Sequence, residues 1–274
     1  MNPGVATDLQ LQRGHPPDTY GLYNTAMWSD AYGCKIQRSG SGIQTNPYTY
    51  AVAPDYANRP VNYVSFWDSC RFANWLQNGQ PTGAQNAGTT EAGAYTLTSD
   101  GINNNTITRN TGWQWAVTSE DEWYKASYYN GPGGAYYDYP TGTNSVPSNV
   151  LGTPTDPGNN ATFYNGSLTI GSPYYRTEVG AHENSESAYG TFDQGGNVWE
   201  WNEAIIGGSS RGLRGGSWSS DGAVNLLASF RDGYGYPPSE NHSIGFRVSE
   251  VPEPATVCLL VLGGMAAMAR RKKN

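Results

Sequence analysis

Few side chains in this sequence stand where covalent chemistry would place them. The three cysteines, Cys34, Cys70 and Cys258, are widely separated, and no Cys-x-x-Cys or Cys/His zinc spacing occurs. Cys258 lies in an apolar C-terminal run, so at most one disulfide, Cys34–Cys70, could staple the body. Cys70 falls on the inward face of a helical pattern, where a thiol serves as a small apolar residue. Cys34 follows Gly33 in a loop with no pattern around it. His15 lies in a polar lead-in, His182 in an acidic loop and His242 in a polar loop, with no two at helical spacing. Ser217, Ser220 and Asp221 offer hydroxyls and a carboxylate for a cofactor-free enzyme, but no base stands at a nucleophile-pair spacing.

The background is poor in charge. Only 14% of residues are charged, against roughly 25% in an average domain. Glycine contributes 35 residues, proline 17, tyrosine 20, tryptophan 9 and phenylalanine 6. A coiled coil or helical bundle is excluded, because it needs long periodic runs of Ala, Leu, Glu and Lys. Full disorder is excluded by the aromatic content, which can bury large apolar areas. The formal charge is −7, and leaving out the four basic and two acidic residues of positions 250–274 makes it −9. Such a body repels phosphate backbones, so no nucleic-acid partner is expected, whereas a divalent cation suits it.

Two helices must position these groups. Ser65 with Asp68 opens a capped helix over about 65–77, and Ser119 with Glu122 opens another over about 119–129. Short strands are expected at 197–201, 211–218, 225–231 and 244–249, with an isolated strand-like piece at 94–97. Residues 79–112 and 131–190 read as long loops, which must be functional or pinned by side chains or ions. Residues 1–19 form a lead-in, 20–249 one domain and 250–274 a distinct tail. Arg214, Arg231 and Arg247 are expected to make buried ion pairs that tie Gly-rich motifs together. Trp199, Trp201 and Trp218 are expected in the core, while the Tyr-rich loops suit packing or carbohydrate and protein contacts.

Six segments occur in a set order. They are Pro60-Val61-Asn62-Tyr63-Val64-Ser65-Phe66-Trp67-Asp68, Asn74-Trp75-Leu76 and Thr118-Ser119-Glu120-Asp121-Glu122-Trp123. Then follow Gly196-Asn197-Val198-Trp199-Glu200-Trp201, Arg214-Gly215-Gly216-Ser217-Trp218 and Gly245-Phe246-Arg247-Val248. The series resembles the sulfatase-modifying-factor family, also called formylglycine-generating-enzyme-like, over about residues 20–249. The resemblance implies an irregular α+β fold, related to C-type lectins, with little regular secondary structure. The family's usual first strand is missing, which leads us to expect a truncated N-terminus.

The resemblance also sets chemical expectations. Formylglycine-generating members use a cysteine pair after the Arg-Gly-Gly-Ser motif, where soft thiolates hold Cu(I). Here Ser219 to Asn225 offer only hydroxyl, carboxylate and amide groups, so no copper is expected. Iron-dependent members need a histidine cluster that His15, His182 and His242 do not match. Asp193, Gly196, Val198 and Glu200 match calcium-binding positions of the family, and Asn160 with Ala161 resembles a second. Carboxylates plus backbone carbonyls make the oxygen shell that calcium favours, and the ion would pin loops. The alternative pairs Glu200 with an arginine such as Arg214.

The tail reads Pro252-Glu253-Pro254, an apolar run from Ala255 to Ala269, then Arg270-Arg271-Lys272-Lys273. As a helix that run would span about 22 Å, short of the ~30 Å hydrocarbon core. Its three parts resemble the PEP-CTERM sorting signal of exported bacterial proteins. The resemblance implies an exosortase as partner and a destination in the cell envelope or outside the cell. Residues 1–12 show no secretory signal, so the recorded start is expected to be late. Three functions stay open. The preferred one is a non-catalytic or divergent binding or structural module of the envelope or matrix, with a polysaccharide or protein ligand. The others are a metal-dependent oxidoreductase and a cofactor-free enzyme using Ser217, Ser220 or Asp221.

Overall fold

The computed structural model describes residues 21–43, 45–152 and 156–251. His15, Cys258 and the Pro252-Glu253-Pro254 motif lie outside the described residues. In chain order the elements are α1 (Ala26–Ser29), β1 (Ile36–Ser39), β2 (Thr49–Val52), α2 (Phe66–Gln77) and α3 (Ser99–Asn103). Next come β3 (Trp115–Val117), α4 (Glu120–Tyr128), β4 (Tyr129–Asn130) and β5 (Ala135–Tyr136). The last are β6 (Trp199–Ile206), β7 (Ser210–Arg214), β8 (Asp232–Gly235), β9 (Ile244–Phe246) and β10 (Val248–Glu250).

Both expected helices form, for the local reason the sequence carries. The Ser65 hydroxyl accepts the Asp68 N–H, and the Asp68 carboxylate accepts the Ser65 N–H. Ser119 and Glu122 close the same reciprocal pair at the start of α4. The inner face of α2 buries Phe66, Trp67, Cys70 and Ala73 against Trp201, Leu213 and Ile244. Residues 94–97 form only isolated bridges, Ala92 with Thr96 and Tyr95 with Arg109.

The largest sheet has the order β8-β7-β6-β9. β6 pairs antiparallel with β7 and parallel with β9, while β10 leaves that sheet to pair with β3. The expected strand at 225–231 is corrected: residues Ala223–Leu226 form a 3-10 turn, and the strand starts at Asp232. Leu226 is the cause, being fully buried with Tyr139, Ala161 and Phe163 in a second core cluster that an alternating strand would not serve.

The long loops are held by side-chain amides. Asn74 donates to Thr90 O and Tyr95 O and accepts the Tyr95 N–H, so one buried residue of α2 fixes the stretch beyond it. Asn78 donates to Thr89 O and Ala92 O, and Asn149 to Phe163 O and Ser167 O. No helix among the described residues is long and apolar enough to cross a membrane.

Candidate functional site

β6 directs Glu200 inward, where it is 4% exposed. Arg247, between β9 and β10, donates Nε to Oε2 at 2.5 Å and Nη2 to Oε1 at 2.6 Å. The Trp123 indole N–H, from α4, also donates to Oε2. Arg247 further binds Phe192 O at 3.1 Å. Asp193 lies close enough to feel Arg247 and Glu200; burial raises its carboxyl above the usual range, and it accepts the Gly180 N–H at 2.7 Å. Gly196 has φ +79° and its N–H reaches Gly215 O at 2.7 Å. A Cβ there would sit 2.1 Å from Thr162 O, so only glycine fits. Val198 is buried beside it.

Asp193, Gly196, Val198 and Glu200 therefore meet in space, as the expected calcium position requires, with Arg247 set against Glu200. Both Glu200 oxygens accept from the Arg247 guanidinium, and Oε2 also from the Trp123 indole N–H, so Asp193 is the expected carboxylate whose Oδ1 carries no such partner. The alternative partner is corrected. Arg214 is the cross-strand neighbour of Glu200, yet its guanidinium binds Glu120 at 2.7 Å. Arg231 meets the other oxygen of Glu120 and is 41% exposed, so its pair is not buried. Glu120, at the start of α4, thus ties down both ends of the 214–231 segment.

At the second expected position the hydrogen-bond donors are partnered. Asn160 donates its amide to Asp156 Oδ1 and its N–H to Ser185 Oγ, and the Ala161 N–H binds Ser148 O. Burial alone would raise the Asp156 carboxyl. The N–H groups of Gly158, Asn184 and Asn160 overcome this and hold it below its usual value. Among the described residues, no three His, Cys, Asp or Glu side chains gather where they could hold one ion.

The segment after β7 gathers several hydroxyls. Ser217 Oγ is 3.2 Å from Ser220 Oγ and 3.3 Å from Ser219 Oγ, and the Ser217 N–H donates to Ser220 Oγ. Ser217 is buried. Asp221 enters through its backbone, whose carbonyl accepts the Asn225 amide. Among the described residues, no imidazole or carboxylate is hydrogen-bonded to these hydroxyls. Cys34 and Cys70 are free, sit in separate core clusters, and have thiols pushed up by burial.

Beside Ser217 the chain assembles an aromatic cluster that sequence reasoning missed. Tyr32, Tyr175, Trp218 and His242 come from four separate loops. Their ring centroids lie 4.8 Å (Tyr32–Tyr175), 5.2 Å (Tyr32–Trp218), 5.1 Å (Tyr175–Trp218) and 5.5 Å (Trp218–His242) apart. Tyr32, Tyr175 and His242 are half-buried, and Ser219 at the edge is exposed. Asn62 braces the cluster by donating to Tyr32 O and His242 O. Arg176 donates to Tyr32 O at 2.6 Å and Gly33 O at 3.1 Å. Asn197 accepts the Trp218 N–H through its carbonyl and donates its amide to Thr177 O.

Around these rings, buried polar atoms lack partners: Trp218 Nε1, His242 Nδ1, Arg176 Nε, Asn62 Oδ1 and Asn197 Oδ1. Burial holds the His242 imidazole below its ordinary pKa. Donors and acceptors left open beside aromatic faces are the features of a ligand site. The one sequence signal was local: Trp218 directly follows the Arg214-Gly215-Gly216-Ser217 motif.

Residues 250–273 match the model of the PEP-CTERM protein-sorting motif. The fold is similar to that of Treponema denticola variable protein 1, with a TM-score of 0.50, 21% identity and 74% of each chain covered. A crystal structure of CarF covers 83% of this chain and 81% of its own at 18% identity, with a TM-score of 0.46. No curated protein matches in sequence. Residues 10–251 match the model of the sulfatase-modifying factor enzyme 1-like domain, and the chain belongs to that family, with its irregular α+β formylglycine-generating-enzyme-like fold.

Proposed function

We infer that this protein is an exported, non-catalytic member of its family that binds an extracellular carbohydrate. The observation that carries the reading is the Tyr32–Tyr175–Trp218–His242 cluster with its open polar atoms. Aromatic faces suit the apolar faces of sugar rings, and the amide oxygens and N–H groups suit their hydroxyls. Two further facts support it. Residues 219–225 contain no cysteine, and among the described residues no imidazole or carboxylate is hydrogen-bonded to the hydroxyls of Ser217, Ser219 and Ser220. The C-terminal sorting motif supports passage to the cell envelope by exosortase-type machinery.

The test uses the full chain and the extracellular polymer fraction of the producing cells. Binding is expected, and Tyr32→Ala and Tyr175→Ala are each expected to weaken it at least tenfold. Binding that survives both substitutions sinks the assignment. So does bound redox-active iron or copper together with oxygen consumption on added thiols.

A further inference from the structure

Among the described residues, Arg176 and Arg211 are almost entirely shielded from water and form no ion pair, and the fold answers them differently. Arg211 is 1% exposed, and all its donor nitrogens are used. Nε binds Asn105 Oδ1, Nη1 binds Glu203 O, and Nη2 binds Ile107 O. Its guanidinium also lies 4.3 Å from the Phe66 ring centroid. Arg176 is 0% exposed; Nη1 and Nη2 bind Tyr32 O and Gly33 O, and Nε is left open. Glu178, two residues on, pairs with Arg59 instead, at 3.7 Å. Burial pushes the Arg176 pKa down to about 10, and the neighbouring Arg59 adds to the effect.

A buried cation with one donor unsatisfied is costly unless something answers it. The answering group must be an acceptor, and a negative one gains most. Arg176 lies directly under the candidate site. It grips the carbonyl of Tyr32 and follows Tyr175, and both rings pack on Trp218. Trp218 Nε1 is a second open donor, while Asn62 Oδ1 and Asn197 Oδ1 are open acceptors. Tyr175 stands at φ 60°, a conformation that costs a tyrosine energy and that tends to cluster at ligand clamps.

We propose that this site takes a sugar acid, whose ring packs on Tyr32, Tyr175 and Trp218 and whose carboxylate accepts from Arg176 Nε. The sugar hydroxyls answer Asn62 Oδ1, Asn197 Oδ1 and Trp218 Nε1. The acidic surface of the protein disfavours densely charged polyanions. The ligand is therefore a polymer with isolated acidic residues, and its recognition depends weakly on salt because the contact is buried.

This inference rests on the carbohydrate-binding reading and is tested apart from it. Methyl glucuronide and methyl glucoside are titrated against the full chain by NMR. The uronide is expected to bind at least tenfold more tightly, Arg176→Lys to narrow that gap, and Trp218→Phe to weaken both while keeping the ring. The comparison of the two glycosides on the unsubstituted chain decides the proposal even if Arg176→Lys fails to fold. Equal affinity for the two glycosides overturns the sugar-acid assignment, as does an unchanged preference in a folded Arg176→Lys. Neither result touches the binding of extracellular polymer through Tyr32 and Tyr175, which stands or falls by its own experiment. A crystal structure with saturating uronide that shows only an ordered water on Arg176 Nε also overturns it.

Discussion

Arg247 places a positive charge on both oxygens of Glu200. A guanidinium suits this role, since its planar fork meets both carboxylate oxygens and stays charged at any working pH. Chelators are therefore expected to leave the melting temperature unchanged, as scanning calorimetry would show; a drop of several degrees would show a structural cation instead. Arg247→Met should instead destabilise the fold by about 3 kcal/mol, because it strands a buried carboxylate. Urea denaturation would measure this loss. His182 adds a pH effect. Its Nε2 meets Thr162 Oγ1 at 2.9 Å, its Nδ1 is buried without a partner, and burial lowers its pKa from 6.5. The unfolded state thus binds the proton more readily. Stability is fully present above pH 6.5 and falls as pH drops from there toward the folded-state value. A stability–pH curve should show this slope, and His182→Gln should flatten it.

At the scale of elements, the helices begin where local chemistry says they must. The Ser65/Asp68 and Ser119/Glu122 boxes involve residues three apart, so sequence alone reveals them. Ser119→Ala is expected to cost about 1 kcal/mol, read from the urea midpoint. Asn74 illustrates the opposite case. Its side chain bonds backbone groups 16 and 21 residues away, and no periodicity announces it. Asn74→Ala should cost about 2–3 kcal/mol, since three buried backbone groups lose their partner. Hydrogen exchange should rise at Thr90–Tyr95, and protection unchanged there would refute the clamp. The misplaced strand at 225–231 has the same origin. Burial of Leu226 against Phe163 is a long-range demand that a local pattern does not contain.

For the whole molecule, the sorting motif and the domain make separate contributions. Removal of residues 252–274 is expected to shift the protein away from its normal site, as cell fractionation would show. Unchanged placement would refute a sorting role. The sequence by itself determined the ordered family motifs, both helix caps, the lack of cysteine at 219–225 and the C-terminal motif, because each is a matter of residue type or of spacing within one turn. The tertiary structure alone decided which charges pair. Glu200 lies opposite Arg214 in the sheet yet binds Arg247, 47 residues away. Only the fold brought Tyr32, Asn62, Arg176, Trp218 and His242 together. The bond from Arg176 to Tyr32 spans 144 residues of chain. Contacts of that reach are set by the packing of whole segments, and no single segment of sequence encodes them.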